Sequence, residues 1–115
     1  MNLLSTDVTV IGAGWSGLMA CKFCLEENLQ VIVLESRSGL GGVWRYTSNT
    51  KIPSVMDSTE MTSSSGVTEM SDFPMPPKIG KFPFHKDVLM YLEDYANKFN
   101  LYPSIKFNKM VTSIK

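Results

Sequence analysis

The 115-residue sequence has few of the residues that build disulfide frameworks, metal sites or catalytic triads. It contains two cysteines, Cys21 and Cys24, and a single histidine, His85. Two cysteines cannot form the framework of a disulfide-stabilised domain, and one histidine supports no serine–histidine–aspartate triad. Eleven acidic residues balance eleven basic ones, so composition favours neither nucleic acid nor an anionic membrane as a partner. We expect neither a catalytic side chain nor a metal ligand here.

Long apolar runs are also missing. None approaches the roughly 20 residues of a membrane-spanning helix, so we expect no membrane segment in this chain. The opening "MNLLSTDVTVIGAG" lacks the basic segment and cleavage site of a signal peptide. With few cysteines, this indicates an intracellular, reducing setting. The hydrophobic fraction of 43% is ordinary for one small globular domain.

The first third of the chain has the pattern of a strand–helix–strand unit. Residues 7–11, "DVTVI", and 30–35, "QVIVLE", are apolar runs typical of buried parallel strands covered on both faces. Residues 16–28 between them have helical periodicity. This predicts an α/β fold with a Rossmann-like parallel sheet and a right-handed crossover. The helix residues expected to face the sheet are Leu18, Cys21, Phe23, Cys24 and Leu25, and those expected to face water are Lys22, Glu26 and Glu27.

Three glycines follow the first strand at a spacing with a physical reason. Gly12, Gly14 and Gly17 form G-x-G-x-x-G in "GAGWSG". In a dinucleotide-binding turn, the first glycine permits the tight turn, the second admits a pyrophosphate and the third lets the helix pack closely. Glu35 ends the second strand, where an acid accepts hydrogen bonds from a ribose. A tight structural turn with a surface glutamate is the alternative.

A second glycine pair bears on which dinucleotide is bound. Glu35 disfavours NADP, because a carboxylate repels a 2′-phosphate, and it leaves NAD and FAD open. Gly41 and Gly42 follow six residues later, before Val43 and Trp44. A backbone free of side chains there can pass close to a second part of an extended cofactor, which favours FAD. A glycine-rich hairpin with a core tryptophan is the alternative.

The rest of the chain divides into two segments. Residues 47–85 predict an irregular excursion, with short extended pieces near 55–56 and 67–70. Residues 86–115 predict an amphipathic helix over 86–100, then one or two strands. The helix face that we expect in the core carries Val88, Leu92, Tyr95 and Phe99, with Leu89 and Ala96 beside it. We expect structural roles for His85 and for two buried thiols at Cys21 and Cys24.

Four stretches together resemble the amino-terminal part of a flavin-containing monooxygenase, the dimethylaniline N-oxygenating class. They are "VIGAGWSGL", "LESRSGLGGVWRY", "SDFPMP" and "FHKDVLMYLEDYANKFNL", in the family's order. The resemblance implies that residues 1–115 are a partial FAD-binding domain, of which residues 1–46 are the strand–helix–strand unit. It places the NADPH domain outside this chain. A cytoplasmic protein, or one on the cytoplasmic face of the endoplasmic reticulum, is implied.

The resemblance also implies site residues and chemistry. Glu35 would hold the adenosine ribose, and Thr62 or Ser63 falls where the family commonly has an asparagine near the flavin. The full-length enzyme would oxygenate amine nitrogen or sulfide sulfur with NADPH and O2 through a flavin C4a-hydroperoxide. The residues implied at the pyrophosphate and towards the flavin are Gly12, Ala13, Gly14, Trp15, Ser16, Gly17, Gly42, Val43 and Trp44.

Three other functions are compatible with the sequence. The first is Baeyer–Villiger oxygenation of a ketone. The second is a truncated, non-catalytic dinucleotide-binding module. The third is an NAD-dependent dehydrogenase, which the second glycine pair argues against. We expect the 115-residue chain alone to be inactive as an oxygenase, because one strand–helix–strand unit holds too few strands for a complete doubly wound sheet.

Overall fold

The computed structural model describes residues 5–114, which form a three-stranded parallel sheet with helices packed against it. Val8 pairs with Val31, and Val33 with Ile105. Both pairings are parallel, which confirms the predicted α/β class and the strand–helix–strand unit. The elements in chain order are β1 (Val8–Ile11), α1 (Trp15–Glu26), β2 (Val31–Leu34), α2 (Ser65–Thr68), α3 (His85–Lys98) and β3 (Ile105–Lys106).

The sheet is well covered on one face. Val31 and Val33 of β2 are buried there, and they pack with side chains of α1 and α3 in a single core. The prediction of a fully buried first strand is wrong, because Thr9 is exposed and Ile11 is 54% exposed. These two residues alternate with the half-buried Val8 and Val10, so they lie on the opposite face, away from the helices.

Helix α3 matches its sequence prediction closely. It begins at His85 and ends at Lys98, and Val88, Leu92 and Ala96 are fully buried. Each large apolar side chain buried in this way contributes roughly 1.5–3 kcal/mol of transfer free energy. With 14 residues α3 is longer than α1, which has 12. Within residues 5–114, no helix has the length and apolar character that crossing a membrane requires.

Two side chains of α1 lie opposite to their predicted positions. Lys22 was expected in water but is only 5% exposed, and Phe23 was expected in the core but is 47% exposed. The reason is a cluster of charges that periodicity cannot reveal. The Lys22 ammonium group binds the carboxylates of Glu26 and Asp72 and lies over the Phe99 ring. A lysine that is paired in this way can be buried at low cost, and both carboxylates raise its pKa.

The segment between residues 47 and 84 is mostly irregular, as predicted, and side chains of α3 form hydrogen bonds with it. The Tyr91 hydroxyl accepts a hydrogen bond from the Met70 N–H group at 2.9 Å and donates one to the Phe73 carbonyl oxygen. The His85 ring binds the Asp57 carbonyl oxygen at 2.8 Å. This bond agrees with the structural role that we expected for His85.

Two smaller predictions were wrong. The extended piece predicted at 67–70 overlaps the short helix α2, and one of the two thiols is not fully buried. Of the one or two strands predicted after α3, the structure has one, β3, and Asn108 follows it in a left-handed conformation (φ 58°). Cys21 is buried, and burial raises its pKa. Cys24 is only half-buried, and both thiols are free.

Tyr95 differs from Tyr91 in its hydrogen bonding. Its side chain is fully buried, and burial raises its pKa to about 12. The hydroxyl group therefore stays protonated near neutral pH. Among the side chains that the structure describes, the Tyr95 hydroxyl is the buried polar group without a hydrogen-bond partner.

Candidate functional site

The first glycine turn, residues 12–17, joins β1 to α1. Gly12 has φ +95°, a conformation that L-residues rarely adopt. A Cβ atom on Gly17 would collide with the carbonyl oxygen of Gly12, so only glycine allows α1 to lie this close to β1. Both residues therefore have the geometric roles that their spacing predicts.

The amino end of α1 presents free backbone donors. Its first helical hydrogen bond runs from the Leu18 N–H group to the Gly14 carbonyl oxygen at 3.0 Å. No side chain caps this end, and no acidic residue lies in the first turn. The N–H groups of Trp15, Ser16 and Gly17 are therefore available to a ligand. Together with the positive end of the helix dipole, they suit an anion such as a pyrophosphate.

The second glycine turn, residues 41–44, packs against the first. The Gly41 N–H group donates to the Ala13 carbonyl oxygen at 2.8 Å. A Cβ atom on Gly42 would lie 3.1 Å from the Gly14 Cα atom, so the two backbones nearly touch. Between the turns is a cleft of about 370 Å³. It is lined by Ile11, Gly12, Gly14, Trp15, Ser16, Gly17, Gly41, Gly42, Val43 and Trp44.

Ala13, unlike the other residues predicted at the pyrophosphate, does not line the cleft between the two glycine turns. Its side chain is fully buried, and its N–H group donates to the Glu35 carboxylate at 2.8 Å. Its carbonyl oxygen accepts from Gly41. Ala13 therefore joins the two glycine turns, and its backbone donor is already used.

Glu35 is buried at the end of β2, with 5% of its surface exposed. One carboxylate oxygen accepts from Ala13, and the other accepts from the Arg37 N–H group at 2.8 Å. The second oxygen also accepts from the Ser36 hydroxyl group at 3.4 Å, so it is the first oxygen that keeps a further lone pair. Glu35 borders a second cleft of about 380 Å³, which shares Gly42 and Val43 with the first. The predicted ribose acceptor therefore adjoins the predicted pyrophosphate site.

Residues after β3 complete this edge of the sheet, and sequence reasoning missed them. The Lys109 N–H group donates to the Glu35 carbonyl oxygen at 2.8 Å. A third cleft of about 170 Å³ there shares Gly12 with the first cleft and Glu35 with the second. The rule that parallel strands end at one edge could have located these residues. The residues lining the clefts that we did not predict include Ile11, Ser36, Arg37, Lys51, Ile52, Lys109, Met110 and Val111.

Thr62 and Ser63 lie elsewhere. Both are exposed, and neither is among the residues that line the three clefts. The preceding residue, Met61, donates its N–H group to the Pro83 carbonyl oxygen at 2.8 Å. The implied position of Thr62 or Ser63 beside a flavin stays a prediction.

The chain matches the model of a known protein family and several curated relatives. A family model described as "Flavin-binding monooxygenase-like" matches residues 5–115. The chain belongs to this family. The sequence is 35% identical to human flavin-containing monooxygenase 2 over 97% of this chain and 21% of that protein. It is 40% identical to flavin-containing monooxygenase 1 of Rattus norvegicus over 93% of this chain and 20% of that protein.

Solved structures of flavin-binding monooxygenases share the fold. The S-allyl-L-cysteine S-oxygenase of Allium sativum covers 100% of this chain, with TM-score 0.86 and 25% identity, over 30% of its own chain. A steroid monooxygenase bound to NADP covers 92% of this chain, with TM-score 0.72 and 29% identity, over 20% of its own. These findings confirm the resemblance and the Rossmann-like fold, and they support FAD and NADPH as the family's cofactors. The chain spans about a fifth of its curated relatives' length.

Proposed function

We propose that this chain is the FAD-binding part of an NADPH- and O2-dependent flavin monooxygenase. The observation that carries the proposal is the backbone contact between the two glycine turns at Gly14 and Gly42. At this contact Gly42 lines both the cleft beside Glu35 and the cleft at the amino end of α1. Two neighbouring clefts that share a glycine suit a cofactor with an adenosine end, a pyrophosphate and a second ring system.

The residues present fit FAD in three respects. Glu35 retains a lone pair on one carboxylate oxygen for a ribose hydroxyl group, and its negative charge disfavours the 2′-phosphate of NADP. The donors at Trp15, Ser16 and Gly17 suit the pyrophosphate. Val43 is 51% exposed, so it can cover the cofactor beyond that point. In this proposal, Gly42 to Trp44 lie along the cofactor towards the flavin.

Bound FAD would supply the redox chemistry, which is to accept hydride from NADPH and to activate O2. The chain's own residues bind this cofactor and orient it. We assign none of them to acid–base catalysis. The NADPH site and the substrate pocket are proposed to lie in the remainder of the protein, and the protein to act in the cytoplasm or at the cytoplasmic face of the endoplasmic reticulum.

We propose soft nucleophiles, amine nitrogen or sulfide sulfur, as substrates. The names of two relatives support this class. One is the N-oxide-forming dimethylaniline monooxygenase 2 of Oryctolagus cuniculus, 35% identical to this chain. The other is the S-oxygenase of Allium sativum.

Oxygenation of ketones is the second candidate. A solved cyclohexanone monooxygenase bound to ε-caprolactone covers 94% of this chain, with TM-score 0.72 and 26% identity. The same FAD-binding edge could serve either reaction, because the substrate pocket is proposed to lie outside this chain.

The test uses the full-length protein that contains this chain. NADPH consumption and product formation are measured with a tertiary amine, a sulfide and a cyclic ketone. The proposal predicts an N-oxide or a sulfoxide with one NADPH consumed per product. An ester formed from the ketone would favour the second candidate. Absence of FAD from the purified protein would contradict both candidate functions. Steady NADPH oxidation by the 115-residue chain alone would contradict the proposal that the NADPH site lies in the remainder of the protein.

A substitution at Glu35 tests the proposed binding mode. In Glu35→Gln an NH2 group replaces one carboxylate oxygen, so the side chain loses the charge that would strengthen its bond to a ribose hydroxyl group and that strengthens its bonds to Ala13 and Arg37. Each hydrogen bond to a charged group is worth about 1.5–3 kcal/mol. We therefore expect FAD affinity to fall by at least about tenfold. Unchanged FAD affinity, measured by flavin fluorescence, would exclude Glu35 from the site.

A further inference from the structure

We propose that Arg37 is a positioning residue that holds the second glycine turn in the shape that accepts FAD. This inference rests on the proposed function and deepens it. The guanidinium group donates to the Gly42 carbonyl oxygen at 2.9 Å and to the Arg45 carbonyl oxygen at 2.9 Å. Arg37 thus binds both ends of the single 3₁₀ turn formed by residues 42–44.

The backbone of Arg37 is itself firmly placed. Its N–H group donates to the Glu35 carboxylate at 2.8 Å, and its carbonyl oxygen accepts from the Asn108 N–H group at 3.0 Å. The side chain is half-buried and borders the cleft beside Glu35. Arg37 therefore links the proposed adenosine end of the site to the proposed flavin end.

The second glycine turn needs such support. Gly41 and Gly42 have φ values of +114° and +55°, and glycines lose the most conformational entropy when they are fixed. The turn has two backbone hydrogen bonds of its own, from Trp44 to Gly41 and from Arg45 to Gly42, at 3.0 and 3.1 Å. A side chain that binds both ends restricts the turn before the cofactor arrives, which lowers the entropic cost of binding.

Arginine suits this task better than lysine. Its planar guanidinium group carries donors in a rigid fork, so it can bind two carbonyl oxygens at once. An ammonium group is a point charge on a flexible stem and cannot reproduce this geometry. Because both terminal nitrogens of Arg37 bind carbonyl oxygens, the side chain is also not presented to a ribose 2′-phosphate. This agrees with the preference against NADP that Glu35 imposes.

The test compares FAD with AMP as ligands of the full chain, in wild type, Arg37→Ala and Arg37→Lys. FAD binding is followed by flavin fluorescence, and AMP binding by ligand-observed NMR. Two lost hydrogen bonds from a charged donor predict a roughly 10- to 100-fold weaker FAD affinity for Arg37→Ala. AMP reaches only the proposed adenosine end, so its affinity should change by less than about threefold. Arg37→Lys should lie between wild type and Arg37→Ala.

The control is Lys86→Ala, which removes an exposed cation of α3 and should leave both affinities unchanged. Equal loss of FAD and AMP binding in Arg37→Ala, or no loss of either, would overturn the proposal. If circular dichroism shows that Arg37→Ala does not fold, Arg37→Lys decides, and full FAD affinity there would overturn it. Wild type that binds no FAD would refute the proposed function itself, before Arg37 is tested.

Discussion

Replacing Gly17 with alanine tests the packing on which the site depends. The added Cβ atom would overlap the carbonyl oxygen of Gly12 and also lie 3.5 Å from a methyl group of Val10. The overlapped atom belongs to the backbone, so it cannot move aside as a flexible side chain can. The amino end of α1 must therefore shift away from β1, and the free donors at Trp15 and Ser16 shift with it.

The expected cost can be compared with general values. Inserting one methyl group into a well-packed region costs about 1–3 kcal/mol, and a clash with a backbone atom belongs at the upper end. Each kcal/mol lowers the thermal midpoint of a domain of this size by roughly 4–8 °C. We therefore expect Gly17→Ala to lower the midpoint by at least about 10 °C. FAD affinity should fall as well, because the helix donors are displaced.

The assay is thermal unfolding followed by circular dichroism, with Gly66→Ala as the matched control. Gly66 has no atom within 4 Å of a built Cβ and no positive φ, so the same substitution there should change the midpoint by only a few degrees. If Gly17→Ala unfolded at the wild-type temperature, the close approach of α1 to β1 would be refuted.

Two further predictions concern α3 and α1. Tyr95→Phe removes a buried hydroxyl group that has no hydrogen-bond partner, so it should leave the thermal midpoint unchanged or raise it. Tyr91→Phe leaves the Met70 N–H group unpaired, so it should destabilise the fold by about 1–3 kcal/mol. Equal effects would contradict the hydrogen-bond assignment. Lys22 lowers the pKa of Asp72. The pair therefore stabilises the fold at pH values above the usual carboxyl pKa of 3.8. This stabilisation is lost as the pH falls through the pKa of Asp72 in the folded state. Asp72→Asn should therefore be less stable than wild type at pH 7 and equal to it in acid, and a gap in thermal midpoint that persists in acid would contradict this.

Features set by neighbouring residues along the chain could be predicted from the sequence. The spacing of Gly12, Gly14 and Gly17 predicts the turn, because a tight turn and close helix packing leave no room for a side chain. The periodicity of α3 predicts its buried face, since four-residue neighbours share one side of a helix. Glu35 follows from its position at the end of a strand.

Features set by residues distant in the chain could not be predicted from local patterns. Lys22 is buried because Asp72, 50 residues away, supplies a counter-charge. Met110 reaches the site because Asn108 turns the chain at the end of a strand of only two residues. The two hydrogen bonds of the Arg37 side chain depend on carbonyl oxygens whose orientation is set only when the glycine turn has folded.

The preference of the site among three dinucleotides shows whether it is an FAD site. The purified chain is titrated at equilibrium with FAD, NAD and NADP, with flavin fluorescence for FAD and competition for the other two. We expect FAD to bind most tightly and NADP to be the weakest competitor. Tighter binding of NAD than of FAD, or no binding of FAD by folded protein, would contradict it.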